Sequence, residues 1–490
     1  MRKTNLVPLL LSLLAMGITA AEPAEKKVLA DELQAVPGNT LTPEQKAALR
    51  AIDVRLAGAE ALAAKIDDPE YKAEVAKQIE DLKRRRLAIE KNFDPGLYEA
   101  LMHSVISRYQ VIALWLKPPP LPPPPPAALE AIEKVEIGKN RELRVNGKPF
   151  FPLSSWGQSQ ERFPLLRALG FNSFTSGKAS EYCDAAQKAG GYAIPGFDAR
   201  FKGHRALLAH IQVDEPDQGF KKGMARRPAE AVVESYKKMR EKDDTRPILL
   251  NLTSSFMESG GDGERTPAER NAYYDVVVKG GDIVSFDVYP IYGWNFDNKL
   301  IWVADGVKQL REYAGPKKPV FACIETCKGS RRVSYQQQQD VKPEDTRAEV
   351  WMAIIRGATG IIYFTHAWQP TFTEFRPDEE MQKELKRINA QIARLTPAIL
   401  ADPAKEHVSI TLSGGLAGDV TARDHDGSLY LFANNLDMQR NSGTATITIE
   451  GLKKGTKVEV IDEGREIVAE EGKFTDEFGP IAVHLYRIRK

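Results

Sequence analysis

The stretch HIQVDEPDQG places three carboxylic acids, Asp214, Glu215 and Asp217, within four positions, directly after a short apolar run. Two further acids close later apolar runs, Asp287 in SFDVYP and Glu325 in VFACIET. Carboxyl groups that converge on one pocket can share acid and base work. One protonates a leaving oxygen while the other attacks or activates water, which is the division of work that cleavage of a glycosidic bond requires.

The elements that must position these acids alternate between β-prone and helical patterns over residues 135–400, which favours an α/β fold. Eight β-prone segments occur in order: FFPLSSW, GFNSFTS, GYAIPGFD, LLAHIQVDE, RPILLNLTS, DIVSFDVYP, KPVFACIET and GIIYFTHAW. Eight such units predict a closed (β/α)₈ barrel, and no GxGxxG follows the first strand as an open nucleotide-binding sheet would show. Barrel active sites lie at the C-terminal strand ends, so the acids are predicted at the mouth.

Side-chain alternation along the fourth strand predicts that its two adjacent acids point in different directions. In a regular strand, Val213 and Glu215 face one side while Gln212 and Asp214 face the other. Only one of the two acids would then enter the pocket.

At these residues the chain resembles the clan A glycoside hydrolases, (β/α)₈ enzymes of the β-galactosidase and cellulase type. The segments that carry the resemblance are LRVNGKPFFPL, LLRALGFNSF, LLAHIQVDEPD, DIVSFDVYP and GATGIIYF. The resemblance implies that Glu215 is the acid/base and Glu325 the nucleophile, with Asp287 and Tyr289 lining the site. Asp214 stands where many clan A enzymes have an asparagine that contacts the sugar 2-hydroxyl.

Further candidates for substrate binding follow or end predicted barrel strands. Aromatic faces there could stack on sugar rings or serve only for packing. The full set of predicted substrate-binding residues is Asp214, Asn251, Asp287, Tyr289, His366, Trp368 and Trp156.

Composition narrows the class of partner. The 490 residues contain 68 basic and 67 acidic side chains, a net charge of +1, so no overall field attracts nucleic acid or an anionic membrane. The three cysteines, Cys183, Cys323 and Cys327, are too few for a disulfide framework, and the seven histidines lack ligand spacing. We therefore expect a carbohydrate substrate, with no metal or other cofactor and no membrane insertion.

The remaining segments predict a secreted, multidomain chain. Residues 1–21 have the basic start, apolar core and small residues of a bacterial signal peptide, which indicates a periplasmic or secreted protein. Residues 22–117 are predicted to be helical and could mediate protein or self-association; residues 118–134 are a proline-rich linker. The predicted barrel spans 135–400, and 401–490 alternate as an all-β domain.

Three functional hypotheses follow. The first is a retaining glycosidase that uses Glu215 and Glu325. The second is a glycan-binding or scaffold protein that keeps the barrel without the chemistry. The third is an inverting glycosidase in which Asp214 or Asp287 replaces one of the glutamates.

Overall fold

A computed structural model describes residues 41–66, 69–98, 100–102, 104–105, 128–218, 226–257 and 266–490. The chain divides into two compact units, 1–121 and 122–490. The predicted signal peptide and the proline run of the linker lie outside the described residues, and the predicted domain boundaries stay predictions.

The first unit contains the predicted helical segment. Helix α1 spans Pro43–Ala63 and α2 spans Pro69–Lys91. Thr42 and Gln45 form a capping box at the start of α1, in which each backbone N–H donates to the other side chain. The buried side chains of this unit repeat at steps of three and four, as an amphipathic helical pair requires; they include Leu49, Ile52, Leu56, Ala59, Ala63, Ile66, Val75, Ile79, Leu82 and Ile89.

The second unit begins with a small antiparallel sheet that lies below the barrel. Its strands are β1 (Val135–Ile137), β2 (Leu143–Val145) and β3 (Lys148–Phe150). Val135, Leu143 and Val145 belong to the same buried cluster as Ile194 and Ile362 of the barrel interior. This three-stranded sheet therefore closes the bottom of the barrel with apolar side chains.

Eight parallel strands form the barrel, and all eight predicted segments contribute one strand each. In the sheet the order is β6-β5-β4-β11-β10-β9-β8-β7, and parallel bridges from Ala193 to Leu207 and from Gly196 to Ile211 close the circle. The strands are β4 (Leu153–Trp156), β5 (Ser173–Thr175), β6 (Tyr192–Ile194), β7 (His210–Ile211), β8 (Ile248–Thr253), β9 (Ile283–Asp287), β10 (Val320–Glu325) and β11 (Gly360–Phe364).

The barrel strands carry apolar side chains on both faces. Those on the outer face are buried by a surrounding layer of helices. Leu249 and Phe321 point into the barrel interior, whereas Leu250 and Ala322 pack against the helical layer. The helices are α3 (Phe163–Ala168), α4 (Ala179–Ala189), α5 (Ala229–Lys242), α6 (Pro267–Val277), α7 (Pro290–Trp294), α8 (Ile301–Ala314), α9 (Pro343–Ile355) and α10 (Glu379–Ile399).

The C-terminal strands form the predicted β-sandwich, with a six-stranded sheet of order β12-β14-β15-β20-β17-β18 and a three-stranded sheet of order β13-β16-β19. Trp351 of α9 packs on Phe432 of the sandwich with ring centroids 5.5 Å apart, so the sandwich shares the barrel's outer core. The strands are β12 (Asp402–Pro403), β13 (Val408–Leu412), β14 (Gly418–His425), β15 (Ser428–Asn435), β16 (Gly443–Ile449), β17 (Lys457–Val460), β18 (Arg465–Val468), β19 (Lys473–Phe478) and β20 (Val483–Arg489).

Among the described helices, none combines the length and the apolar character needed to cross a membrane.

Candidate active site

Both acids of the fourth barrel strand face the same cluster, unlike the alternation predicted from the sequence. Past Ile211 the chain stays beside β8, and the Glu215 N–H donates to the Asn251 carbonyl at 3.1 Å. Glu215 itself has φ of +44°, in the left-handed region. This turn breaks the alternation, so that Asp214 contacts the Asn251 amide while Glu215 contacts Asp287.

Glu215 and Asp287 form a carboxyl pair at the mouth of the barrel. Their side chains share a hydrogen bond, and the Gln218 amide donates to Glu215 Oε2. Burial, and then the charge of Glu215, hold the pKa of Asp287 well above its usual range. Because two adjacent carboxyls cannot both ionise cheaply, this environment favours the protonated form of Asp287, which can donate a hydrogen bond to Glu215.

Asn251 orients the third carboxylate of this group. Its Oδ1 accepts from the Ser285 hydroxyl at 2.7 Å, which fixes the amide so that Nδ2 points to the acids. Nδ2 donates to Asp214 Oδ1 at 2.9 Å and to Asp287 Oδ1 at 3.4 Å. The distance between Asp214 Oδ1 and Asp287 Oδ1 therefore cannot exceed the sum of these two hydrogen-bond lengths.

Asp214 is the most accessible acid of the three. Asp214 as a whole residue is exposed to solvent. Its carboxylate is nevertheless partly desolvated by nearby protein atoms, which raises its pKa. The Asn251 amide and the Glu215 N–H oppose that rise by stabilising the charged form. Asp214, Glu215 and Asp287 together are called the mouth triad below.

Replacing Asn251 by alanine is expected to lower kcat on a hydrolysed glycoside by about 10- to 100-fold, because Asp214 loses the amide that orients it. A steady-state assay that separates kcat from KM checks this result. Ser285→Ala is the matched variant, since it frees the Asn251 amide without removing it and should give a smaller loss of kcat. An unchanged kcat in Asn251→Ala would contradict the orienting role.

Asp217, the third acid of the opening motif, serves the structure. It is fully buried and accepts from the Thr253 N–H at 2.9 Å, from the Thr253 hydroxyl at 2.9 Å and from the Tyr274 hydroxyl at 2.7 Å. Every one of these donors lies outside the DEPD segment. Asp217 therefore anchors the loop that carries the triad acids to β8 and α6.

Replacing Asp217 by alanine should lower the free energy of unfolding by about 2–4 kcal/mol, because three buried donors lose their shared acceptor. Urea unfolding followed by circular dichroism measures this change. Asp244→Ala is the control, since Asp244 is 74% exposed and pairs only at the surface with Lys202. An equal, small effect in both variants would show that the loop does not depend on Asp217.

Glu325 lies at the end of β10, as predicted, but its carboxylate is enclosed. Its side chain has 0% exposure, and its two oxygens accept from the Ile291 N–H at 2.9 Å and the Tyr292 N–H at 2.6 Å, at the start of α7. The mouth triad contacts neither oxygen among the bonds described. Both carboxylate oxygens are thus already bonded to the backbone of α7, and the predicted nucleophile role of Glu325 stays a prediction.

A second buried glutamate accompanies Glu325. Glu349 of α9 also has 0% exposure, and neither of its oxygens has a well-formed hydrogen bond among the described residues. Burial raises the pKa of Glu325 to about 7 against the opposing backbone N–H groups, and burial together with the charge of Glu325 raises that of Glu349 well above its usual range. Burial therefore favours the protonated form of Glu349. Its only signal in the sequence is that it is the one acid in the apolar run AEVWMAII.

The predicted aromatic and histidine candidates lie at different depths around the mouth. Tyr289 is packed beside Cys323 at the top of the barrel interior, and burial raises its pKa well above the usual range. Trp156 is half-buried against the same interior cluster. His366 is buried, with Nε2 3.0 Å from the Gly157 carbonyl, and burial lowers its pKa.

Trp368 is the predicted aromatic residue that remains open to solvent, with 36% exposure. The Arg331 guanidinium lies 4.0 Å from its ring centroid, and the tilted ring of Phe372 lies beside it, with centroids 4.8 Å apart. Ring contacts run from Trp368 through His366 and Phe364 to Tyr289. The aromatic rim is therefore continuous with the top of the barrel interior.

Within the part of the chain that the structure describes, no group of three or more side chains is arranged to hold a metal ion. The three cysteines are buried and unpaired.

Comparison with known proteins bears on the fold. No family model matches the chain, and no curated protein sequence matches it. An exo-carrageenase of family GH42 from Bacteroides ovatus matches over 90% of this chain and 96% of its own, with a TM-score of 0.50 and 9% identity. Another structure, titled glycoside hydrolase, covers 73% and 97% at 12% identity with a TM-score of 0.46.

The fold is a (β/α)₈ barrel with a C-terminal β-sandwich, similar to that of the exo-carrageenase. This agrees with the clan A resemblance seen in the sequence. At 9% identity the likeness to the exo-carrageenase shows the fold and not the reaction.

Proposed function

We propose that this protein hydrolyses O-glycosidic bonds at the C-terminal mouth of its barrel. The observation that carries this proposal is the mouth triad: three carboxyl groups from the ends of two barrel strands, of which two are hydrogen-bonded to each other and the third is oriented by an amide. Glycoside hydrolysis needs such a division, with one acid protonated and one carboxylate charged at the same pH.

In the proposed reaction the proton held between Glu215 and Asp287 passes to the leaving glycosidic oxygen as the bond to the anomeric carbon breaks. Asp214 attacks that carbon and forms a glycosyl ester. Water then enters, gives a proton back to Glu215 and releases the sugar from Asp214 with net retention. Net retention follows from the covalent intermediate on Asp214, since two displacements at the same carbon restore its configuration.

Glu325 receives a different role in this proposal from the one the resemblance implied. Its carboxylate accepts two N–H groups at the start of α7, which favours a negative charge there. Glu325 would therefore fix α7, and with it the neighbouring Tyr289, relative to β10. Trp368 would supply an outer sugar-stacking surface.

We also propose a polysaccharide or oligosaccharide substrate met outside the cytoplasm, in the periplasm or the medium. The predicted signal peptide at residues 1–21 and the glycoside hydrolase fold support this location. The N-terminal helices could add protein or self-association, as their sequence suggested.

A panel assay tests the proposal. The mature chain is incubated with neutral, uronic acid-containing and sulfated β-linked glycans, and reducing ends are measured over time, with Glu215→Gln in parallel. Release by the natural chain at least about 100-fold above Glu215→Gln on one substrate would support it. Saturable binding of a glycan with no release by either protein would favour the glycan-binding alternative.

A further inference from the structure

A cavity of about 220 Å³ lies at the opposite end of the barrel from the mouth triad. The turn between β1 and β2, the segment before β11, the end of α10 and strands of the sandwich surround it. Half of its lining is apolar: Ile354, Ala358, Ile399, Leu400, Ala401 and Pro403.

Arginines form part of the polar lining of this cavity, beside Lys139, Asn140 and Thr359. Arg141 and Arg423 line it directly, and Arg311 lies behind its Gly357 wall, where a Cβ on Gly357 would stand 2.5 Å from Arg311 Nη1. Among the described residues, no carboxylate forms an ion pair within 4.0 Å of these three guanidinium groups. Asp402, the acid whose charge acts on Arg423, is already bonded to Lys139 at 2.7 Å.

Several polar atoms around the cavity lack partners. The Nε atoms of Arg141 and Arg311 and the hydroxyl of Thr359 are buried without a hydrogen bond. Burial and then the charge of the next arginine lower the pKa of each guanidinium. Three partly buried like charges and orphaned donors around one cavity are costly without a counter-charge.

We propose that this cavity binds a small oxyanion, with its charged group between Arg141 and Arg423 and its remainder against the apolar wall. Guanidinium groups match carboxylate, sulfate and phosphate oxygens through paired N–H donors. Because Arg141 precedes the barrel and Arg423 belongs to the sandwich, the anion would also tie these two parts of the second unit together.

The test measures the thermal unfolding midpoint of the full mature chain against increasing sodium sulfate, inorganic phosphate and sodium acetate. Sodium chloride keeps the ionic strength constant, which removes general screening. We expect a saturable rise in the midpoint with at least one of the three anions, and the three arms separate tetrahedral oxyanions from carboxylates.

Arg423→Gln is expected to weaken the apparent affinity for that anion by at least about tenfold, because it removes charge-assisted donors. Without the anion the same variant should unfold at a higher temperature than the natural chain, since the repulsion falls. Arg141→Gln, on a surface turn, gives the same test if Arg423→Gln does not fold. Arg200→Gln is the control, because Arg200 is 82% exposed and distant from the cavity lining.

A midpoint that does not change, or one that rises without saturation and equally in all variants, would overturn the proposal, because exclusion of salts from any protein surface gives that second pattern. Glycoside hydrolysis should be unaffected by Arg423→Gln. The anion site and the mouth triad can therefore fail independently of one another.

Discussion

Replacing Glu215 by glutamine is expected to lower kcat/KM on a hydrolysed glycoside by about 10²- to 10⁴-fold. The glutamine cannot pass the proton that Asp287 now donates towards Glu215, so protonation of the leaving oxygen is lost. The hydrogen bond from Gln218 is also disturbed. The loss should fall mainly on kcat, because the change removes an interaction of the transition state and not one of substrate binding.

Initial rates on the best substrate of the panel, measured across pH, check this expectation. The natural chain should lose activity on the alkaline side, where the Glu215–Asp287 pair gives up its shared proton. Glu466→Gln is a matched control on sandwich strand β18, 52% exposed, and should behave as the natural chain does. An alkaline limb that survives at full rate in Glu215→Gln would remove Glu215 from the proton pathway.

Replacing Asp287 by asparagine is expected to reduce activity by a similar factor and, at the same time, to stabilise the fold. The folded-state pKa of Asp287 lies above its unfolded-state value. Between the unfolded-state and folded-state pKa values, the folded chain therefore binds more protons than the unfolded chain. The free energy of unfolding falls as pH rises from about 4 through the folded-state pKa. Asparagine removes this penalty, so we expect a gain of at least about 1 kcal/mol at pH 7 and little difference at pH 4.

Urea unfolding at several pH values, with activity measured on the same samples, separates these two effects. Asp184→Asn is the control, because Asp184 is 85% exposed and far less constrained. A gain in stability that grows with pH together with a loss of turnover would support a strained pair kept for function. A loss of stability at neutral pH would show that Asp287 is charged and well paired in the folded state.

The order of elements could be predicted from the sequence because periodicity and turn residues encode it locally. Each of the eight β-prone segments became one barrel strand, and the change to short alternating runs after residue 400 marked the sandwich. Strand ends then fixed which acids reach the mouth, since parallel strands bring their C-terminal ends to one side.

The direction of individual side chains could not be predicted in the same way. Alternation separates Asp214 from Glu215, but the left-handed backbone at Glu215 reverses that outcome, and no residue type signals such a turn when glycine is absent. At Glu325 the strand end was predicted correctly, yet the start of α7 and the buried Glu349 enclose the carboxylate. Both differences arise from contacts between segments distant in sequence.

The most direct test of the central claim compares Asp214→Asn with Glu325→Gln in one assay of glycoside turnover, after circular dichroism and thermal unfolding confirm that both variants fold. If the mouth triad performs the reaction, Asp214→Asn should lose at least about 10³-fold in kcat. Glu325→Gln should stay within about tenfold of the natural chain and show mainly a lower unfolding temperature. A folded Glu325→Gln without turnover, beside an active Asp214→Asn, would contradict the account and return the nucleophile role to Glu325.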